Sequence, residues 1–371
     1  MPEVMTNKSH PFSLIMLIMH RRVKRADIPA FLESDMYTRL MAEMLDSGQA
    51  CHGEVWILGD REDELTFRRV KVRLHPDYKT VEHPPTDVLF VRGDHWCYVP
   101  LLRKSLARRF LFYPASGRGI PRRWRHFHGI LMDDKLQEPI LRKFYPGAYL
   151  GVFLKTAVPE IFHPLPEEKK IYDVCLVGDL VTARKNLNSI AQAVTALPQV
   201  KFVLCGKNID PHLQRRLGAR PGQLTCLGFI PRTELNKVYN RSKLGVLTSN
   251  KSDASPRVIL EFMAAGLPIL ANEQISGIDK FLLPHAGRTA ATRDFANLIP
   301  QMLNAYHQYN PYEVFMNNFS PAQAAADFAR HVHAVLQMPE TPPPPSWRGK
   351  LARLLRPRID QYEYVTERNN D

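Results

Sequence analysis

Long apolar stretches are missing from this 371-residue chain. The longest early run, Phe12 to Met19, has eight residues, against about 20 for a helix that spans a bilayer. Basic residues follow that run at Arg21 and Arg22 instead of preceding it, the reverse of a secretory leader. Cysteine is scarce. Cys51, Cys97, Cys175, Cys205 and Cys226 are odd in number and far apart, with no C-x-x-C spacing, which argues against a disulfide framework or a zinc site and for buried thiols in a reducing cytoplasm. No Asp-x-Asp pair stands at a strand end; Asp133-Asp134 is the nearest approach and reads as an exposed turn. No repeat of fixed period is present. Acid is also short: 50 Lys+Arg stand against 37 Asp+Glu, a net charge of +13. That excess asks for an anionic partner, whether nucleic acid, a membrane surface or a phosphorylated substrate. A hydrophobic share of 44% with 23% charged residues fits a soluble globular protein and excludes wholesale disorder.

What is present is an alternation of short apolar runs and helical patterns, which implies parallel sheets covered by helices. In residues 1–156 the strand candidates are Phe12–Met19, Val55–Gly59, Val70–Leu74, Asp87–Val91, Phe110–Tyr113, Gly129–Met132 and Tyr149–Lys155, with a helix over Pro29–Leu45. Residues 157–170 hold Pro159, Pro164 and Pro166 with little periodicity and read as a linker. The alternation restarts over residues 171–338. Five strands are expected there, opening at Ile171, Val200, Leu224, Leu244 and Pro268. Ser320-Pro321-x-Gln323 predicts a capped helix running to about Gln337 in this second domain. Residues 339–371 form a proline-rich spacer, Pro342 to Pro345 being consecutive, and a basic tail.

The informative stretch is SNKSDASPRVILEFMAAGLPILA, Ser249 to Ala271. A strand ends at Ser249, a polar loop follows, and a helix starts near Pro256, where proline is tolerated. Free amides at such a helix start form an anion site. Asp253 lies in the loop and Glu261 on the helix; Gly266 ends the helix and Pro268 opens the next strand. This is the carboxyl edge of a parallel sheet, where doubly wound domains bind ligands.

The stretch resembles the donor-binding motif of retaining GT-B glycosyltransferases, in particular the large family 4 group (glycosyltransferases group 1). That motif is an acid, seven residues, a glutamate, then Met-Ala-x-Gly-x-Pro. Here it is Asp253, Glu261 and Met263-Ala264-Ala265-Gly266-Leu267-Pro268. The first acid is usually Glu in the family; Asp253 keeps the charge on a shorter arm. Val177-Gly178-Asp179-Leu180 with Arg184-Lys185-Asn186 is similar to the family's strand, glycine and basic pair that grips the donor diphosphate. Asp179 stands where the family commonly has arginine, so Arg184 and Lys185 carry the charge. Leu204-Cys205-Gly206, Leu227-Gly228-Phe229-Ile230-Pro231 and Leu235…Tyr239…Ser242 match further landmarks. The resemblance covers about residues 148–275; the first half shares only strand order and Asp87-Val88-Leu89-Phe90-Val91-Arg92-Gly93.

The resemblance implies an α/β fold of GT-B architecture, two doubly wound Rossmann-like domains facing across a cleft. It implies transfer of a sugar from a UDP-, GDP- or ADP-sugar to a sugar, lipid-linked or other glycoconjugate acceptor with retention of configuration, by a front-face path, without an essential metal or further cofactor. Bacterial glycolipid, polysaccharide or other glycoconjugate synthesis is the implied setting. By the same resemblance Gly178, Arg184, Lys185, Gly206, Phe229, Ile230, Ser255, Pro256, Arg257 and Glu261 hold the donor, Glu261 at the ribose diol, and Asp253 takes hydroxyls of the donor sugar. Many relatives place a histidine after the fifth strand. Phe112-Tyr113-Pro114-Ala115-Ser116 has none, and His95 is the cleft candidate, ahead of His126 and His128. The glycine-rich loop often found after the first strand is replaced by Met19-His20-Arg21-Arg22.

Eight basic residues and no acid lie between Arg103 and Arg125, interleaved with Tyr113, Trp124 and Phe127 nearby. In the tail, Trp347, Leu351, Leu354 and Leu355 share one face of a helical pattern ringed by Arg348, Lys350, Arg353, Arg356 and Arg358. Both point to an anionic membrane, and so to a cytoplasmic protein peripheral to the inner face of the cell membrane. Three rivals remain at this point: a transferase glycosylating DNA, with the basic half as a phosphate track; a nucleotide-sugar epimerase; and a non-catalytic binding protein.

Overall fold

The computed structural model describes residues 10–18, 22–93, 95–114, 126–178, 185–207, 212–251, 253 and 255–338. Arg184, the middle of the basic stretch (Arg118, Arg122, Arg123, Trp124 and Arg125) and the tail from Pro339 lie outside the described residues.

Two sheets organise the chain. The first contains β1 (Phe12–Leu17), β2 (Ala50–Leu58), β3 (Asp63–Phe67), β4 (Val70–His75), β5 (Thr86–Arg92), β6 (Ala107–Tyr113), β7 (Gly129–Met132) and β8 (Tyr149–Val152) in the order β3-β4-β2-β1-β5-β6-β7-β8. All neighbours are parallel except β3 and β4. The second contains β9 (Tyr172–Val177), β10 (Phe202–Cys205), β11 (Leu224–Gly228), β12 (Ser242–Leu247), β13 (Ile269–Asn272) and β14 (Gly287–Ala290), ordered β11-β10-β9-β12-β13-β14 and wholly parallel. The central strands are buried on both faces, as the unbroken apolar run in β1 requires. Two doubly wound sheets are what the alternation predicted.

Four details differ from the sequence reading. β3 is an extra edge strand, joined to β4 by a two-residue turn whose Arg68 and Arg69 both have positive φ, 47° and 65°. Such turns usually carry Asn-Gly, so this one leaves no compositional trace. β14, Gly-Arg-Thr-Ala, is a sixth strand in the second sheet with too few apolar residues to stand out. The helix expected over Pro29–Leu45 is two, Ile28–Ser34 and Met36–Asp46, because Asp35 turns extended and caps the second through the Thr38 amide at 2.8 Å. Residues 157–170 are no free spacer. Phe162 is buried and stacks on Tyr239, while Asn236 and Asn240 donate to the His163 carbonyl.

The last helix, Pro321–Leu336, changes the domain boundary. Its start is as expected, with Ser320 Oγ accepting from the Gln323 amide. Its apolar face, however, packs on the first sheet and not the second. Phe328 lies edge-on to Phe90 at 5.2 Å and near Phe153, and Ala324, Ala325, Val332 and Val335 join the same core. Gly129 and Gly151 on β7 and β8 make room, since a Cβ on either would fall within 2.6 Å of Val335 or His331. The first domain is therefore residues 10–156 completed by the chain's last described helix. The five cysteines are free, with Cys175 and Cys205 buried in the second sheet.

Candidate functional site

The carboxyl ends of the strands of the second sheet supply most of the described residues singled out above. β9 ends at Gly178 and β10 at Gly206, and the two glycines abut: a Cβ on Gly206 would sit 1.7 Å from the Gly178 carbonyl oxygen. Only hydrogen fits there. A Cβ on Gly178 would in turn touch the Lys185 stem at 3.1 Å. Lys185 thus lies across the end of β9, its carbonyl accepting from Thr248 Oγ1 at 2.7 Å. Its ammonium meets Asp253 Oδ2 at 2.7 Å, with both side chains nearly buried. Val177, Lys185, Thr248 and Ser249 line a small pocket between β9 and β12.

The loop after β12 is held from several sides. Asn272 donates to the Ser249 carbonyl at 2.9 Å, and the Asp253 amide donates to the Asn250 carbonyl at 2.9 Å. Ser255 is left-handed, φ 53°, and its buried Oγ has no hydrogen-bond partner. Pro256 accepts from the Ile259 amide and opens the helix Val258–Ala264. Gly266, φ 75°, closes that helix with the Leu267 amide on the Phe262 carbonyl at 2.8 Å, the six-to-one bond of a glycine C-cap.

Glu261 has partners of its own. It is buried, accepts from Tyr239 OH at 3.3 Å and lies 3.7 Å from Arg232. Arg232 also donates to the Ser34 carbonyl of the first domain at 3.0 Å. Burial, with the Glu261 charge beside it, holds the Tyr239 hydroxyl far above its ordinary pKa. Phe229 stands 73% exposed after β11, with Lys207 Nζ 5.0 Å from its ring centre. Ile230 packs part-buried on the second core. Arg257 is exposed, and its charge acts on Asp35 and Tyr37 of the first domain.

Of the histidines, His95 is exposed at the carboxyl end of β5. His126 and His128 precede β7 and so sit at the opposite, amino edge of the sheet. His128 stacks on Phe110, and burial pushes its pKa down to about 4. Within the basic stretch, Arg108 is paired with Asp87 at 2.9 Å and Arg109 is buried, so these two offer no free charge to a membrane.

The sequence reading missed a set of buried charges between the halves. Asp133 and Asp134 are buried and not an exposed turn. Lys155, just beyond β8, bridges Asp133 Oδ1 at 2.8 Å and the Ser255 carbonyl at 3.0 Å. Ser276 hydrogen-bonds Asp134, and Lys280 donates to the Asp133 carbonyl. Burial lowers the pKa of both lysines, that of Lys280 to about 8. The one available sequence signal was a lysine closing the apolar run Tyr149–Lys155. Among the described residues no group of three or more His, Cys, Asp or Glu side chains is arranged to hold a metal ion. No helix among them is long and apolar enough to cross a membrane.

Residues 172–308 match the model of the family described as glycosyl transferases group 1. No curated protein sequence matches the chain. Among solved structures, sucrose-phosphate synthase from Thermosynechococcus elongatus superposes with a TM-score of 0.64 at 14% identity, covering 87% of this chain and 99% of that one. A glycosyltransferase from Rickettsia africae gives 0.63 at 12%, covering 89% and 100%. Anabaena HepE, solved in complex with UDP-glucose, gives 0.57 at 12%, covering 87% and 100%. The fold is that of these GT-B glycosyltransferases over nearly its whole described length.

Proposed function

From a chain with the GT-B fold and a group 1 glycosyltransferase match over residues 172–308, we propose a retaining glycosyltransferase that draws its sugar from a nucleoside diphosphate. The observation that carries this reading is the Lys185–Asp253 pair at the carboxyl edge of β9 and β12, beside the abutting Gly178 and Gly206. A buried cation next to a stretch of backbone that bears no side chains suits a diphosphate. In this reading the diphosphate replaces Asp253 as the partner of Lys185, and the released carboxylate takes hydroxyls of the donor sugar. Arg184 and Arg257 stabilise the negative charge that develops on the leaving phosphate. Glu261 serves the ribose and Phe229 with Ile230 the base. The departing phosphate acts as base on the acceptor, by front-face transfer. No resident metal takes part, and turnover survives EDTA. The UDP-glucose held by HepE supports uridine as the first base to try.

The acceptor lies against the first domain, with His95 as a candidate contact. The net charge of +13 supports an anionic, lipid-linked acceptor and a protein that works peripherally on a membrane in glycolipid or polysaccharide synthesis.

The test is a thermal-shift screen with UDP-, GDP- and ADP-glucose, followed by transfer assays. A true donor at 100 times its Kd adds about 2.7 kcal/mol of stability. Asp253→Asn is expected to lower turnover about a hundredfold, the scale of losing one charge-stabilising group in a closed site. Absence of any shift, or a fully active Asp253→Asn, defeats the reading.

A further inference from the structure

We propose that Lys155 is a positioning residue: from the first half of the chain it holds the loop that carries Asp253 and Ser255 in the shape a donor needs. The proposal rests on the donor reading above and adds to it a link between the two domains.

The anchor is rigid. Asp133, which receives the Lys155 ammonium at 2.8 Å, is 1% exposed and also accepts from Tyr113 OH at 2.7 Å. Its amide donates to Gln137 Oε1 at 3.0 Å, and its carbonyl accepts from Lys280. A residue held through its backbone amide, its carbonyl and its carboxylate gives the lysine a fixed anchor.

The far end needs holding. Ser255 adopts a left-handed conformation, φ 53°, that costs a non-glycine residue of order 1 kcal/mol. Such conformations persist only when the surroundings over-determine them. One such constraint among the described residues is the Lys155 ammonium, which donates to the Ser255 carbonyl at 3.0 Å from a residue in the other domain. The same residue, Ser255, has a buried hydroxyl without a hydrogen-bond partner, two residues from the Asp253 that faces Lys185. A buried unpaired hydroxyl is costly unless something comes to meet it, and a donor phosphate would. Bringing the domains together and shaping the donor loop thus become one event.

A simple structural ion pair would also be buried, so the test separates shape from stability. Lys155→Met combined with Asp133→Asn removes both charges of this pair together, so neither partner is left charged without the other. The expected result is a folded protein in which amide exchange over residues 249–257 speeds at least tenfold. Its Kd for UDP-, GDP- or ADP-glucose, whichever binds the wild type, rises at least tenfold, while kcat at saturating donor stays within threefold. Tyr113→Phe removes another Asp133 contact and spares the bridge; it lowers Tm and leaves exchange and Kd unchanged. Lys155→Gln, which keeps a donor, moves both quantities in the same direction by less and serves if the double variant fails to fold. Wild-type exchange in the loop of the lysine variants, or an equal loss of affinity in Tyr113→Phe, overturns the proposal. If no nucleotide-sugar binds the wild type, the donor reading fails, and exchange alone decides the bridge.

Discussion

The two sheets have the same architecture and treat buried polar groups in opposite ways. Among the described residues of the second domain, one buried side-chain atom lacks a hydrogen-bond partner, Ser255 Oγ, and it lies at the candidate site. The first domain buries a run of rings around Trp56. His75 and His83 flank it at 4.8 and 5.5 Å, Tyr78 follows His75, and Tyr98 follows Tyr78 at 5.7 Å. Both ring nitrogens of His75, Nε2 of His83 and the hydroxyls of both tyrosines have no hydrogen-bond partner. Where polar groups are paired and loops are short, the fold fixes a site to within a side chain's reach. Where they are buried unpaired, each costs stability and the region is left sensitive to its conditions. In the proposed reading the first arrangement suits a donor diphosphate, and the second lies in the domain proposed to face the acceptor.

The contrast breaks most completely at Gly206. Any Cβ there must displace the Gly178 carbonyl, 1.7 Å away, and with it the ends of β9 and β10. Gly206→Ala is expected to destabilise the protein by about 3 kcal/mol or more, in the range of strained core substitutions, and to abolish nucleotide binding. Urea unfolding followed by circular dichroism measures it. A variant that unfolds like the wild type would show that the glycine pair is only a convenient turn.

How far the sequence reveals this follows from distance along the chain. From Ser242 to Asn272 strand, loop, helix and glycine cap follow in order, so this part of the candidate site is a local motif whose proposed donor role rests on the family resemblance, while Gly178, Lys185 and Gly206 reach it from further up the chain. The helix Pro321–Leu336 was equally visible through its cap. Its destination was not, because an apolar stripe fits either sheet and only Gly129 and Gly151 select the first. Lys155 meets Ser255 a hundred residues away, and no local pattern marks either as a partner. Asp133-Asp134 looked like a surface turn because two adjacent acids usually are; burial became possible only once Lys155, Lys280 and Ser276 were brought to them.

A smaller effect sharpens the comparison through pH. Burial lowers the pKa of His75 and His83 despite the pull of Glu62 and Glu54, with Arg73 adding to the downward shift at His75. A histidine whose folded pKa lies below its unfolded value of about 6.5 binds fewer protons when native. Its contribution is fully present above that pH and is lost as pH falls through the window below it. His128, held at about 4, extends the window downward. The urea midpoint of the first domain should therefore drop between pH 7.5 and 5. Tryptophan emission follows it without a signal from the second domain, since Trp56, Trp96 and Trp124 lie in residues 1–156, Trp347 in the tail and none in residues 171–338. The double variant His75→Phe/His83→Phe keeps the rings and should reduce that slope, leaving the part that His128 contributes; an unchanged slope would mean the pair does not set it.

The smallest effect is expected at Phe229, and it tests the second domain without disturbing it. The ring is 73% exposed, so removing it costs the fold almost nothing. Lys207 covers it at 5.0 Å, a cation–π contact worth about 0.5–1 kcal/mol at an exposed site. In the proposed reading a nucleotide base stacks on this ring, which follows the carboxyl end of β11. Stacking on an aromatic side chain contributes about 1–3 kcal/mol per base, and the low end applies to a ring this open. Phe229→Ala should therefore weaken nucleoside diphosphate binding about fivefold, with Tm unchanged and with the same loss for the free nucleotide as for the nucleotide-sugar. An equal Kd in variant and wild type would remove Phe229 from the donor site and leave the base to backbone contacts alone.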